Sequence, residues 1–206
     1  SNAQDGISLI QVAEGALNET HSILQRMNEL ATQAASDTNT SVDRKAISAE
    51  MDQLTSEINR IQSTTQFNTM NLLDGSFKGD LQVGSLKGQT ISISISKMNA
   101  GSIGVSGLKV SSNKVAGEAM SKIQKAIESV STQRSKLGAI QNRLEHTINN
   151  LDTTSENTQA AESRIRDTDM ASEMVEYSKN NILQQAGQSM LAQANQQNQG
   201  VLSLLG

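Results

Sequence analysis

No proline interrupts this chain anywhere in its 206 residues. Proline is the residue that most strongly breaks a helix interior, since it lacks a backbone N–H and its ring clashes with the preceding turn. A chain without it can carry helices of unusual length. Bulky core material is scarce as well. Aromatic residues make up 1% of the sequence, namely Phe67, Phe77 and Tyr177, against 35% hydrophobic residues overall. An elongated bundle built from Leu, Ile, Met and Ala fits that composition better than a compact globule. Trp is absent, so a large ligand cavity is not expected.

Apolar periodicity divides the chain. From Gln4 to Ala35, apolar or small residues fall at Ile10, Ala13, Leu17, Thr20, Leu24, Met27, Ala31 and Ala34. These alternating steps of three and four are a heptad stripe. Leu9, Ala16, Ile23 and Leu30 widen it to the face that a helix in a multi-helix bundle must bury. Ser36 to Ser41 is small or polar, and Thr40 followed by Asp43 has the spacing of a capping box that opens a second helix. That helix carries Ile47, Met51, Leu54, Ile58 and Ile61 and ends near Thr64. The two read as a tight helical hairpin.

Between Phe67 and Ser112 the pattern changes, with glycines at 75, 79, 84, 88, 101, 104 and 107. Ile91, Ile93 and Ile95 alternate with serines, as in a half-buried strand. With Leu81 and Val83 before Lys87-Gly88, they predict a β-hairpin that must pack on the helices to be stable. A third stripe then runs through Met120, Ile123, Ile127, Val130, Leu137, Leu144, Ile148 and Leu151, interrupted by Arg134 and Gln141. It predicts one long helix to about Arg166, in which the polar interruptions specify register. Asp167 and Asp169, flanking Thr168, read as N-cap residues at a break between helices. The last forty residues are rich in Gln, Asn and Ala, with Ile182, Leu183, Ala186, Met190, Leu191 and Ala194 on one weak apolar face. Such a face, with no partner in its own chain, has to find one elsewhere.

The chemistry-bearing residues exclude more than they suggest. There is no cysteine, hence no disulfide, thiolate metal site or cysteine nucleophile. His21 and His146 are the two histidines, and neither stands in a metal-ligand spacing. The methionines at 27, 51, 120 and 190 occupy stripe positions and read as core filling. No catalytic residue, metal site or cofactor is expected, so the chain reads as a non-enzyme. A net charge of −4 without a Lys/Arg run argues against nucleic acid. No segment approaches the ~20 apolar residues of a membrane span.

Several longer motifs carry a resemblance. Gln25-Arg26 with Glu29-Leu30, Thr65-Gln66-Phe67-Asn68 and the run from Leu137 to Leu144 (Leu-Gly-Ala-Ile-Gln-Asn-Arg-Leu) are three of them. Ala161 to Asp167 and Met190 to Gln197, with Val201, Leu202 and Leu204-Leu205, complete the set. Together they resemble bacterial flagellin, over almost the whole chain outside the short middle region.

The resemblance implies a mainly α fold, an elongated antiparallel helical bundle or coiled coil with a small β-hairpin element. Its parts would be 1–3 as a protease-cleavage scar, 4–66 as the N-terminal helical hairpin, 67–115 as a short variable region, 116–166 as the long core helix and 167–206 as the filament-core helix. It implies a structural subunit that self-assembles with other flagellin subunits into the extracellular flagellar filament for motility, secreted unfolded through type III export. In the family the two chain ends pair as helices, so the face at Ile182, Leu183, Ala186, Met190, Leu191, Ala194, Val201, Leu202 and Leu205 is expected to pack in the filament core, against an N-terminal arm that this chain lacks. Before export the same tail would dock the flagellin export chaperone. By the same resemblance, Arg26, Leu30 and Glu50 would form an exposed patch recognised by a host's Toll-like receptor 5. The alternatives are a hook-filament junction protein and a soluble helical adaptor.

Overall fold

The computed structural model describes the backbone of residues 1–205 and the side chains of residues 1–196. Two compact units divide the chain, one from Ser1 to Leu151 and a second from Asp152 onward. Helix α1 (Asn2–Ala34) and helix α2 (Ser41–Thr64) come first. On α1 the buried positions are those of the heptad reading, with Ile10, Ala13, Leu17, Leu24, Met27, Ala31 and Ala34 sealed from solvent. Thr20 is buried on the same stripe, and its hydroxyl donates to the Ala16 carbonyl at 2.9 Å, so no polar group is stranded there.

The turn between the two helices is built from side-chain bonds to helix ends. Arg44 reaches back from α2, its Nε donating to Ala34 O and its Nη2 to Ser36 O, both at 3.0 Å. It thereby satisfies carbonyls that the end of α1 leaves without helical partners. Thr40 and Asp43 form the expected capping box: the Thr40 N–H donates to Asp43 Oδ2 at 2.9 Å, and the Asp43 N–H donates to Thr40 Oγ1. On α2, Ile47, Met51, Ile58 and Ile61 are buried and Leu54 half-buried.

Where α2 stops, a first hairpin appears that the sequence reading did not contain. Strands β1 (Gln66–Phe67) and β2 (Met70–Asn71) pair antiparallel around Asn68 and Thr69, both at positive φ. Two left-handed residues give the twist a two-residue hairpin needs. Asn tolerates that conformation, but the β-branched Thr69 at φ +66° is strained, which is why no Asn-Gly signal marks the turn.

The expected hairpin is present as β3 (Lys78–Gln82) and β4 (Thr90–Ser94), paired from Lys78–Ser94 to Gln82–Thr90. Ile91, Ile93 and Ile95 are buried and the intervening Thr90, Ser92, Ser94 and Ser96 exposed, as the alternation requires. The hairpin is fastened to the third helix by Gln133, which is 3% exposed. Its Nε2 donates to Ser94 O at 3.3 Å and its Oε1 accepts from Ser96 N–H at 3.4 Å. The glycine-rich stretch after β4 is not a surface loop, since Met98, Ala100, Ile103, Val105, Leu108 and Val110 all enter the core. Asn59 on α2 accepts the Ala100 N–H at 3.0 Å and pins it.

Helix α3 spans Asn113–Leu205. Of its stripe, Ile123, Val130, Leu137 and Leu144 are buried, Met120, Ile127 and Ile148 half-buried, and Leu151 lies at the exposed end. Ala116, Ala119 and Ala126 are buried beside them. Arg134 is half-buried, with Nη2 3.8 Å from Glu14 of α1. The predicted break at Asp167 does not occur. Asp167 and Asp169 are interior helix positions, not N-caps: Ser163 Oγ donates to Asp167 Oδ2 at 3.2 Å, and Thr168 Oγ1 donates back to Arg164 O at 2.7 Å. A caplike Asp-Thr-Asp sequence stays helical because these short side chains bond within the preceding turn.

The capping box makes a pH-dependent prediction. The Thr40 N–H and then its hydroxyl hold the Asp43 carboxyl below the usual carboxylate range. A depressed folded pKa contributes stability above the unfolded value, and that contribution fades as pH falls through the folded one. Thr40→Ala should therefore lower unfolding stability by about 1 kcal/mol at neutral pH. The gap to the unmodified chain should narrow below about pH 4, as read by denaturant titration at several pH values.

Candidate functional site

Among the described residues, the unit from Asp152 onward is one continuous helix with local side-chain support. Across Asp152–Gln196 every side chain is exposed except Ala161, which is half-buried. What supports the helix is local: Thr158 Oγ1 donates to Thr154 O at 2.8 Å, and Glu162 pairs with Arg166 one turn away. Such contacts contribute a few tenths of a kcal/mol each. On this helix Ile182, Leu183, Ala186, Met190, Leu191 and Ala194 are all exposed, with Ile182 at 66% and Met190 at 70%. Their spacing puts Ile182, Leu183, Ala186, Met190 and Ala194 on one face of the helix, with Leu191 at its margin. Val201, Leu202 and Leu205 lie outside the residues whose side chains are described. Val175 continues the face toward the N-terminus, and Tyr177 stands well round from it, 67% exposed. Exposed large aliphatics at this density are unusual for scattered surface residues.

The second set of expected site residues is only partly brought together. Arg26 Nε donates to Glu50 Oε1 at 3.0 Å and Arg26 Nη2 stands 2.9 Å from the same oxygen, tying α1 to α2. Arg26 Nη1 also reaches Glu29 Oε2 at 3.3 Å. The bonds to Glu50, then Glu29, raise the guanidinium pKa further above its ordinary value. Arg26 and Glu50 are both about half exposed. Leu30 does not join them. It is 2% exposed and sits in the core with Met27 and Ala31, so the expected exposed patch of three is corrected to a charged pair. The cause is angular: Leu30 lies four residues after Arg26 but also three after Met27, and the apolar stripe claims it.

Elsewhere the surface offers little convergent chemistry. A concavity of about 750 Å³ opens where α1 meets both hairpins, lined by Gly6, Leu9, Phe67, Met70, Phe77 and Leu81, with Asp5 and Lys78 as its ionisable residues. Among the described residues no three His, Asp or Glu side chains gather as a metal would require. No helix among them is long and apolar enough to cross a membrane.

Two family profiles match the chain. Residues 1–78 match the bacterial flagellin N-terminal helical region and residues 120–205 the bacterial flagellin C-terminal helical region. The chain belongs to the bacterial flagellin family. It is 54% identical to a flagellin of Halalkalibacterium halodurans over 99% of its own length and 76% of that protein. With the flagellin of Bacillus subtilis it shares 48% identity, covering 99% of this chain and 79% of the relative. The crystal structure of Bacillus cereus flagellin superposes with a TM-score of 0.65 at 30% identity, covering 77% of this chain and 93% of that one.

This flagellin chain is accordingly a structural subunit of the flagellar filament, with a mainly α fold and small β elements, as the motifs implied. The junction-protein and adaptor alternatives are not favoured. The β1–β2 turn and the buried 98–110 stretch went unread. Phe67-Asn68 stood inside a motif quoted for the resemblance, yet nothing in its pattern disclosed two left-handed residues.

The two residues of the corrected patch should behave oppositely on mutation. Leu30→Ala should destabilise the 1–151 unit by about 2–5 kcal/mol, as for a buried Leu that leaves a cavity. Arg26→Ala should leave the unfolding midpoint near that of the unmodified chain, since exposed ion pairs contribute little. Thermal unfolding of the two variants checks both.

Proposed function

We propose that assembly of this filament subunit falls on the apolar face within residues 152–196, which neighbouring subunits cover. The observation that carries this reading is that Ile182, Leu183, Met190 and Leu191 are exposed on a helix whose own unit offers nothing to bury them. Each side chain of this size gains about 1.5–3 kcal/mol on full burial. A repeating assembly supplies that burial in every copy, and the isolated chain does not. The role is mechanical and non-catalytic, which membership in a family of structural proteins supports.

Two further partners follow from the resemblance. Before export the same apolar face serves as the docking site of a flagellin export chaperone, which shields it inside the cell. An amphipathic helix laid into an apolar groove is a common mode of peptide recognition. The exposed Arg26–Glu50 pair is the part of the expected patch available to Toll-like receptor 5, with Leu30 acting only from within by holding α1 in place. A receptor surface with complementary charges could address both members of the pair from outside the bundle.

Seeded growth tests the assembly reading. Leu183→Glu with Met190→Glu should raise the concentration needed for elongation from filament seeds by on the order of a hundredfold. Unfolding of residues 1–151 should stay unchanged. Growth of the variant at the unmodified rate would place the subunit contact elsewhere.

A further inference from the structure

The folded unit of residues 1–151 is divided in charge. Residues 1–76, comprising α1, α2 and the β1–β2 hairpin, hold ten Asp/Glu and four Lys/Arg. Residues 77–151, comprising the β3–β4 hairpin, the stretch after it and the first part of α3, hold four Asp/Glu and ten Lys/Arg. One half is thus net negative by six and the other net positive by six. Opposite charges inside one unit commonly pair with each other. Here, among the described residues, a single ion pair joins the halves, Arg134 to Glu14 at 3.8 Å.

The rest of the positive charge faces outward in an ordered way. Lys114, Lys125 and Lys136 recur every eleven residues, and Arg143 follows seven later. Eleven residues make just over three full helical turns, so these four side chains share one stripe, about 43 Å long at 1.5 Å rise per residue. Glu118 shares the stripe's edge and leaves it net positive. All four cations are exposed, and among the described residues none of them is in an ion pair. On the negative half, Glu19 of α1 and Asp52 of α2 are likewise exposed and outside any ion pair among the described residues.

We infer that the basic stripe of α3 docks on the acidic α1–α2 half of a second copy of this chain. The inference rests on the reading of the chain as a filament subunit, in which a subunit's neighbours are identical copies. Two acidic halves repel and two basic halves repel, so the favoured contact sets the acidic half of one copy against the basic half of another. When each copy offers its acidic half to one neighbour and its basic half to another, the contact is heterologous, and a heterologous contact that does not close on itself propagates as an open helical assembly. The charge division therefore suits the head-to-tail packing a filament needs. The residues after 151 are also net acidic, with seven Asp/Glu and three Lys/Arg, and they are the competing occupant. The α1–α2 half is favoured because it carries the larger net charge.

Charge reversal separates these outcomes. The full-length protein is offered to filament seeds as Lys125→Glu/Lys136→Glu, as Glu19→Lys/Asp52→Lys, and as the chain carrying all four changes, with helix content checked for each. Either pair alone should slow elongation by more than about tenfold, because the first turns the stripe itself net negative and the second sets cations opposite an unchanged basic stripe. An equimolar mixture of the two pairs, or the fourfold variant alone, should recover growth, because unlike charges again face each other at the changed positions. Growth of Lys125→Glu/Lys136→Glu at the unmodified rate would overturn the inference. So would rescue of that variant by a partner carrying Glu173→Lys/Glu176→Lys but not by one carrying Glu19→Lys/Asp52→Lys. If the unmodified protein fails to extend seeds, the filament-subunit reading falls first and this contact with it.

Discussion

The architecture of residues 1–151 depends on one seam of aliphatic side chains. Ile10, Leu17, Leu24 and Met27 of α1, Met51 and Ile58 of α2, and Ile123, Leu137 and Leu144 of α3 are all but sealed from solvent within one core cluster. With hardly an aromatic ring to fill volume, such a core is stable only if branched and straight aliphatics interlock at regular spacing. Alanines at 13, 31, 116, 119 and 126 set how closely the backbones approach. Every other element is placed by attachment to that seam: the β3–β4 hairpin through its isoleucines and Gln133, and the stretch after it through Asn59 and its own apolar side chains.

The parts legible in the sequence were those with a period. The stripes of α1 and α2, the alternation of Ile91, Ile93 and Ile95, and the Thr40–Asp43 box each repeat or pair at a spacing fixed by backbone geometry. What escaped was aperiodic. Leu72, Leu73, Ile103, Val105 and Leu108 enter the core from loop backbone, where neither 3.6 nor 2 organises the sequence. Gln133 could not be recognised as a buried fastener, because a lone polar residue in a stripe looks the same whether it meets water or a strand edge. Asp167 and Asp169 misled for the opposite reason. Their composition suits a cap, but nothing after them stops the helix.

The site residues show the same division. The apolar character of Ile182, Leu183 and Met190, and the single face their spacing gives them, were legible. For Leu30, sequence spacing alone was ambiguous, since the residue belongs at once to the Arg26 turn and to the heptad stripe. Burial resolved it in favour of the stripe. A residue implied by family resemblance can thus bear on a surface without being on it, by holding the helix that presents Arg26 and Glu50.

Tyr177 gives the chain an optical property of its own. It is the single tyrosine, there is no tryptophan, and it is 67% exposed. Five residues from Ile182 at about 100° per residue, it points about 140° round the helix from Ile182. Its ultraviolet emission therefore reports on the back of this helix, uncontaminated by any other fluorophore of comparable yield. A helix covered along one side only leaves that phenol in water, whereas one enclosed all round shifts its signal. The sequence carries its own gauge of how completely a neighbour surrounds it.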